Sequence, residues 1–373
     1  MGASNSAVQT SRLNNGILPE PSSRLISLDV FRGFTMFWLA GGKAFVVAAA
    51  SLCGFEFVRY QLSHSEWEGV RYYDVIWPSF MLMVGVSLPF SFAKRALTQT
   101  RSQITRGVWR RAAVLFLLGS IRESLSTGTP VLVELSSALQ PIALAYVVTS
   151  YLIKRPVRLQ IAVGAGILAG YSLLLALVPA PGIPAGTYEN GRNLVTAVDW
   201  AVLGRSHPEG WGTVLSAIPT ISTTILGLLL GQVLMSGATK YKKMLVIGAT
   251  GIGCLSLGFA ISPVVPVIMK LWTTSYALIT AGWACLLFLL FYWIADVRQQ
   301  RSWSFPLVVI GTNALAAYLL PTIVPVHRII GTFTKPVAAI FGMYGPVFSA
   351  AAVLVASWSI LFWMYKRKIS LRA

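Results

Sequence analysis

The chain has 373 residues, a formal net charge of +18, 55% hydrophobic side chains and only 11% charged ones, against about 25% charged in ordinary soluble domains. Mean hydropathy is +0.68. These values exclude a soluble globular domain. The positives are scattered over short loops rather than clustered with stacking aromatics, which argues against a nucleic-acid-binding surface.

Residues 1–24 are polar and lack the apolar core of a signal peptide; they read as a flexible cytoplasmic tail ahead of a single transmembrane domain over 25–373. A bilayer-crossing helix needs roughly 20 mostly apolar residues. That requirement places spans at 30–52, 73–93, 108–121, 135–153, 160–178, 217–235, 244–261, 273–295, 305–324 and 346–365, the third being the shortest. The expected fold is all-α and polytopic, with about ten transmembrane helices.

Lys and Arg concentrate in cytoplasmic loops of membrane proteins. With the N-terminus inside, the inner segments hold 20 of the 30 basic residues, and nine of the twelve acids fall on the opposite side. Both termini are therefore expected in the cytoplasm, and the basic loops to meet anionic lipid. The expected location is a bacterial inner membrane, as a multi-pass protein, and a homo-oligomer is left open. Cys53, Cys254 and Cys285 have no metal-ligand spacing, and no metal is expected.

The loop after the first span reads QLSHSEWEGVRYYDVIWP over 61–78, the densest run of ionisable groups in the chain. Its pattern is H-x-x-W-x-G-x(4)-D-x(3)-P, from His64 through Trp67, Gly69 and Asp74 to Pro78. A neutral imidazole takes a proton from a nucleophile or is itself acylated, and a carboxylate such as Asp74 holds its tautomer and stabilises its cation. Read from residue types alone, the same group also fits a solvated surface loop.

RLISLDVFRGFTM (24–36), followed by this pattern, resembles the heparan-alpha-glucosaminide N-acetyltransferase family, membrane enzymes that move an acetyl group from acetyl-CoA to a sugar amine. Further strings follow in the family's order: ALQPIALAY (138–146), NLVTAVDWAVLGRSHPEG (193–210), AIPTISTTILGLLLG (217–231), LWTTSYALITAG (271–282) and GTNALAAYLL (311–320). The resemblance implies that His64 is catalytic, as general base or transient acyl carrier, with Asp74 orienting it. It also implies an asparagine at the end of the first span, where this chain departs. Counting forward from Arg32 reaches Lys43 and counting back from His64 reaches Cys53, so the segment between carries an insertion. Lys43 is an ammonium close in sequence to the His64 loop, fit to bind an anionic group or to act on His64; it also fits a lysine snorkelling to the interface.

The remaining candidates surround an acceptor. Trp67 belongs to the His64 pattern. Asn193, Asp199, His207 and Glu209 occupy the long loop 179–216, where they either line an acceptor site or cap and solvate the loop. Trp272 and Tyr276 open the eighth span on the same face, and Asn313 sits inside the ninth, as helix glue or as a ligand contact. On the basic side Arg32, Lys94, Arg95, Arg106, Arg110 and Arg111 offer cations for the phosphates of an acyl-CoA; orientation and lipid contact account for the same residues. The expectation is a transmembrane acyltransferase carrying an acyl group from cytoplasmic acyl-CoA to an amine or hydroxyl of a saccharide on the other side. A sugar transporter is the alternative, and it leaves the His64 loop idle.

Overall fold

The computed structural model describes residues 25–128 and 138–371. The expected tail at 1–24 and the first residues of the expected fourth span, 135–137, lie outside them. The first crossing is α1 (Ile26–Phe37), a π-helical stretch (Trp38–Gly42) and α2 (Lys43–Leu52). Within the π-helical stretch Gly41 has φ 119°, open to a residue without Cβ at little cost, and the extra residue there re-aims α2. The first amides of α1 lack partners in their own helix; those of Ile26 and Ser27 donate to the Asp296 carboxylate at 3.2 and 3.1 Å.

After α3 (Glu56–Gln61) a single 3-10 turn (Tyr72–Val75) leads into α4 (Ile76–Ala96). The first turn of α4 takes Pro78 where no amide is needed. Next come α5 (Arg101–Thr127), α6 (Leu139–Leu152) and α7 (Val157–Leu177). The long loop holds a two-residue hairpin, β1 (Tyr188–Glu189) with β2 (Arg192–Asn193), and then α8 (Leu194–Leu203). The remaining helices are α9 (Ala217–Met235), α10 (Lys240–Ile261), α11 (Thr274–Tyr292), α12 (Phe305–Thr312), α13 (Ala314–Ile323), α14 (Val326–Ile340) and α15 (Gly345–Lys366).

The protein is all-α and polytopic. Among the described residues seven helices are long and apolar enough to cross a membrane, or eight if α12 and α13, bent by 63°, count as one broken span. Two expected spans are not among them. The third is the core of α5, at 27 residues a much longer helix than expected, but one carrying Arg101, Arg106, Arg110, Arg111, Arg122 and Glu123. The fourth is α6, with 14 residues, about 21 Å of helix. The ninth is interrupted where Asn313 leaves helical geometry (φ −121°, ψ 40°).

The centre of the bundle is α4 against α9, with α11 beside them. Gly85 and Gly227 permit that contact, since a Cβ at either would run into the partner's backbone; small residues are how membrane helices approach closely. Gly33 and Gly311 do the same where α1 crosses α12. Most of α7, α10 and α15 faces outward, as lipid-facing apolar helices do.

Candidate active site

The His64 loop is fixed before it can do chemistry. Asp74 lies in the 3-10 turn at the start of the second crossing, with its side chain fully buried, while the His64 side chain is 43% exposed. The carboxylate accepts from His64 Nδ1 at 2.8 Å and from the amides of Arg71 at 2.9 Å and Ser65 at 3.3 Å. A carboxylate bonded this way only accepts, so the Nδ1 proton is assigned to the imidazole and the lone pair to Nε2. Arg71 ties the loop a second time, donating from Nη1 to Ser63 Oγ at 2.5 Å and to the His64 carbonyl at 2.7 Å. Gly69, at φ 104°, donates its amide to the Val267 carbonyl, which explains the glycine in the motif: its turn requires a residue at ease with positive φ.

The imidazole is bracketed by rings, Tyr73 at 4.7 Å and the edge of Trp211 at 5.8 Å. Trp77 continues the aromatic wall to Trp272, which meets Tyr276 edge-on. Tyr276 in turn donates its hydroxyl to the main-chain carbonyl of Asp74 at 2.7 Å. Trp272 is buried with φ 51°, an uncommon conformation for a bulky residue and one that clusters at functional sites.

His64 opens onto a cavity of about 210 Å³ whose lining includes Tyr73, Trp77, Phe80, Glu123, His207, Trp211 and Tyr318. Its walls are aromatic, and Glu123 brings a carboxylate, with Arg122 at 3.7 Å and the Arg122 guanidinium over the Tyr318 ring at 4.6 Å. The buried indole N–H groups of Trp77 and Trp272 have no acceptor among the described residues. Aromatic faces beside a few convergent polar groups are the make-up of a small-molecule site.

The two candidates for the departing position separate in space. Lys43 Nζ sits over the Tyr73 ring, 3.9 Å from its centroid, and that ring also packs against His64. Cys53 caps the C-terminus of α2 and is exposed. Between Arg32 and His64 the chain holds the π-helical stretch Trp38–Gly42 just before Lys43 and the short α3 just after Cys53.

Other expected residues hold the loops that cover the site. Trp67 donates from Nε1 to the Tyr188 carbonyl at 2.8 Å. Burial pushes the Tyr188 phenol above its usual range, so that side chain stays neutral. Asn193 caps α8, accepting from the Thr196 amide at 2.9 Å and donating to the Glu189 carbonyl. Asp199, buried, accepts from the Thr213 amide and hydroxyl and from the Val214 amide. Glu209 accepts from Trp211 Nε1 at 3.1 Å, which orients the indole beside His64. Of the four loop candidates only His207 lines the cavity. Asn313 sits at the α12–α13 break, its buried Oδ1 without a donor among the described residues.

The expected phosphate-binding cations are at the far end of the bundle. Arg95 reaches Tyr146 OH at 3.5 Å, and Arg111 stacks on the same ring at 4.7 Å. Lys94 is exposed beside them, and Arg106 and Arg110 are exposed on α5. Arg32 is held inside the bundle by Asp29 at 3.6 Å and by Ser87.

Sequence reading missed Glu123, Trp211, Trp77 and Tyr318 as cavity residues. Ending the third span at 121 left Glu123 in a loop; α5 continues to Thr127 and carries it into the cavity. No curated protein matches the chain in a sequence comparison. Residues 24–259 match the family model described as heparan-alpha-glucosaminide N-acetyltransferase, catalytic, a segment that contains His64, Asp74, Lys43 and Glu123 but not Trp272, Tyr276 or Asn313. A match over well over half of 373 residues, on a polytopic helical fold, places this chain in the heparan-alpha-glucosaminide N-acetyltransferase family.

Proposed function

We propose that this family member transfers an acetyl group from acetyl-CoA to an amine or hydroxyl of a saccharide, with His64 as general base. The observation that carries the reading is the His64 Nδ1 bond to the buried Asp74 carboxylate, which leaves Nε2 as a proton acceptor at an aromatic cavity. In the reaction, Nε2 takes the proton from the acceptor N–H or O–H as the nucleophile attacks the thioester carbonyl. The tetrahedral adduct then breaks its C–S bond, the sulfur takes the proton back from the imidazolium, and the products are the acetylated sugar and free CoA. Asp74 supports the transient cation. Aromatic walls suit the apolar face of a sugar ring, while Glu123 and His207 offer polar contacts to its substituents. Lys43 contributes a positive charge beside the reacting carbonyl.

The bundle is read as one domain over 25–373, crossing the inner membrane about ten times with both termini in the cytoplasm. The basic ends of α4 and α5, with Arg32 above them, receive the donor's phosphates. From Trp77 to Arg95 along α4 is roughly 27 Å at the helical rise, a distance suited to an extended donor entering from the basic end while the acceptor enters from the other. The test is CoA release by the purified full chain, with acetyl-CoA as donor and a panel of amino sugars and neutral sugars as acceptors. Acceptor-dependent release that vanishes in His64→Ala, with the variant still stabilised by acetyl-CoA in a thermal melt, supports the reading. Full turnover by His64→Ala overturns it.

A further inference from the structure

A second cavity, of about 1400 Å³, is larger than the one at His64 and shares no lining residue with it. It is a groove that runs along α9 from Ser222 to Met235 and is lined as well by α7, α10, the end of α4, the start of α5 and part of α11. Fourteen residues of α9 give it a length of about 21 Å, more than the hydrocarbon depth of one leaflet, half of a core about 30 Å thick. Its walls are mainly apolar, and its lining residues contain no carboxylate. Three cations cluster at one end: Arg101 from the start of α5, and Lys154 and Arg155 from the turn between α6 and α7. All three are exposed, and none pairs with a carboxylate among the described residues. Just inside that end, the buried Gln160 Oε1 and Ser150 Oγ have no hydrogen-bond partner among the described residues.

These features have one economical occupant. An apolar channel longer than the hydrocarbon depth of one leaflet takes an acyl chain, the cluster of cations takes a phosphodiester, and Gln160 and Ser150 supply an acceptor and a donor for a hydroxylated headgroup. We infer that the groove binds one anionic glycerophospholipid, its phosphate held by Arg101, Lys154 and Arg155 and one acyl chain laid along α9. The groove is separate from the His64 cavity, but its basic end includes the end of α4 and the start of α5 given above to the donor's phosphates; lipid binding is therefore read without acetyl-CoA present.

The test is native mass spectrometry of the full chain in an uncharged detergent, titrated with phosphatidylglycerol, with phosphatidylcholine of the same chains, and with glycerol phosphate. The expected result is a one-to-one phosphatidylglycerol adduct at concentrations at least tenfold lower than phosphatidylcholine requires. The triple variant Arg101→Gln, Lys154→Gln, Arg155→Gln should lose that preference. Ala165→Trp, which puts a ring into the groove from the exposed face of α7, should weaken both lipids. Equal adducts with the two lipids that persist in both variants mean ordinary surrounding lipid and overturn the proposal. Glycerol phosphate binding as tightly as the whole lipid also overturns it, since the site would then be one for a free phosphate. If the triple variant does not elute as folded protein, Lys154→Gln and Ala165→Trp decide the matter by the same comparison.

Discussion

The Tyr276 hydroxyl donates to the main-chain carbonyl of Asp74 at 2.7 Å across 202 residues of chain. A residue beyond the family-matched segment thereby pins the turn that holds the His64 partner. Tyr276→Phe keeps the ring and leaves that carbonyl without this donor. An unpaired buried polar group costs about 1–3 kcal/mol. The expected outcome is a lower melting temperature together with roughly tenfold slower CoA release, whereas a purely structural hydroxyl would lower stability and leave turnover per folded molecule unchanged.

Removing the base itself should act on rate rather than on folding. The His64 side chain is half exposed, so His64→Ala creates no core cavity, and general-base catalysis contributes about 10²–10⁴-fold. Asp74→Asn can keep its carbonyl on the amides of Arg71 and Ser65, which share one carboxylate oxygen, but then turns an NH2 donor toward the Nδ1–H of His64. It should therefore lower both stability and turnover. Parallel melts and CoA-release assays separate the two effects, and an Asp74→Asn protein as stable and as active as wild type would falsify the role given to the carboxylate.

How much of this was legible in the sequence differs from element to element. Span 217–235 coincides with α9 because a helix apolar along its whole length shows its ends plainly. The α5 helix was cut short because its charges break the apolar run, although helix continuity is a matter of backbone hydrogen bonds that Arg and Glu support as well as Leu. The His64–Asp74 pair was legible because its members lie ten residues apart within one motif. Glu123, Trp211 and Tyr318 were not, since they reach the cavity from three other parts of the chain, and only packing brings them there. Asn193 and Asp199 stood out as polar residues in a loop; their acceptor atoms serve the loop's own amides, which sequence cannot tell apart from serving a ligand.

Lys43 and Cys53 make a matched comparison. Lys43 stacks on the ring that also touches His64, and Cys53 ends α2 in solvent-exposed surroundings. A cation against an aromatic face is worth about 0.5–2 kcal/mol, and a charge fixed near a developing oxyanion considerably more in rate. Lys43→Met should slow CoA release by about 10- to 100-fold, with Lys43→Arg recovering part of it, while Cys53→Ser should behave as wild type. Equal activity of Lys43→Met and wild type in the same assay would return Lys43 to an interfacial role.

Asp199 gathers three donors from Thr213 and Val214 and so anchors the loop that carries His207 and Trp211 to the cavity. Asp199→Ala strips those donors of their acceptor. The expected result is a raised KM for the acceptor with little change in acetyl-CoA affinity, because the acceptor side of the cavity loosens and the basic end does not. Equal weakening of both substrates in steady-state kinetics would mean a general loss of fold instead.

The crossing of α1 and α12 rests on two glycines in contact with each other's backbones. A Cβ at Gly33 would meet the Leu307 carbonyl, and one at Gly311 would meet the carbonyl of Asp29. No flexible side chain is there to yield, so the helices must separate, and Arg32 and Asp29 move with them. Overpacking of this kind costs about 1–3 kcal/mol. Gly33→Ala and Gly311→Ala should each lower the melting temperature in detergent. Gly166→Ala on α7, where nothing lies within 4 Å of the added Cβ, should be neutral or slightly stabilising, since alanine is the better helix former by about 1 kcal/mol. If all three variants melted together, the close approach of α1 to α12 would not be what holds the first crossing in place.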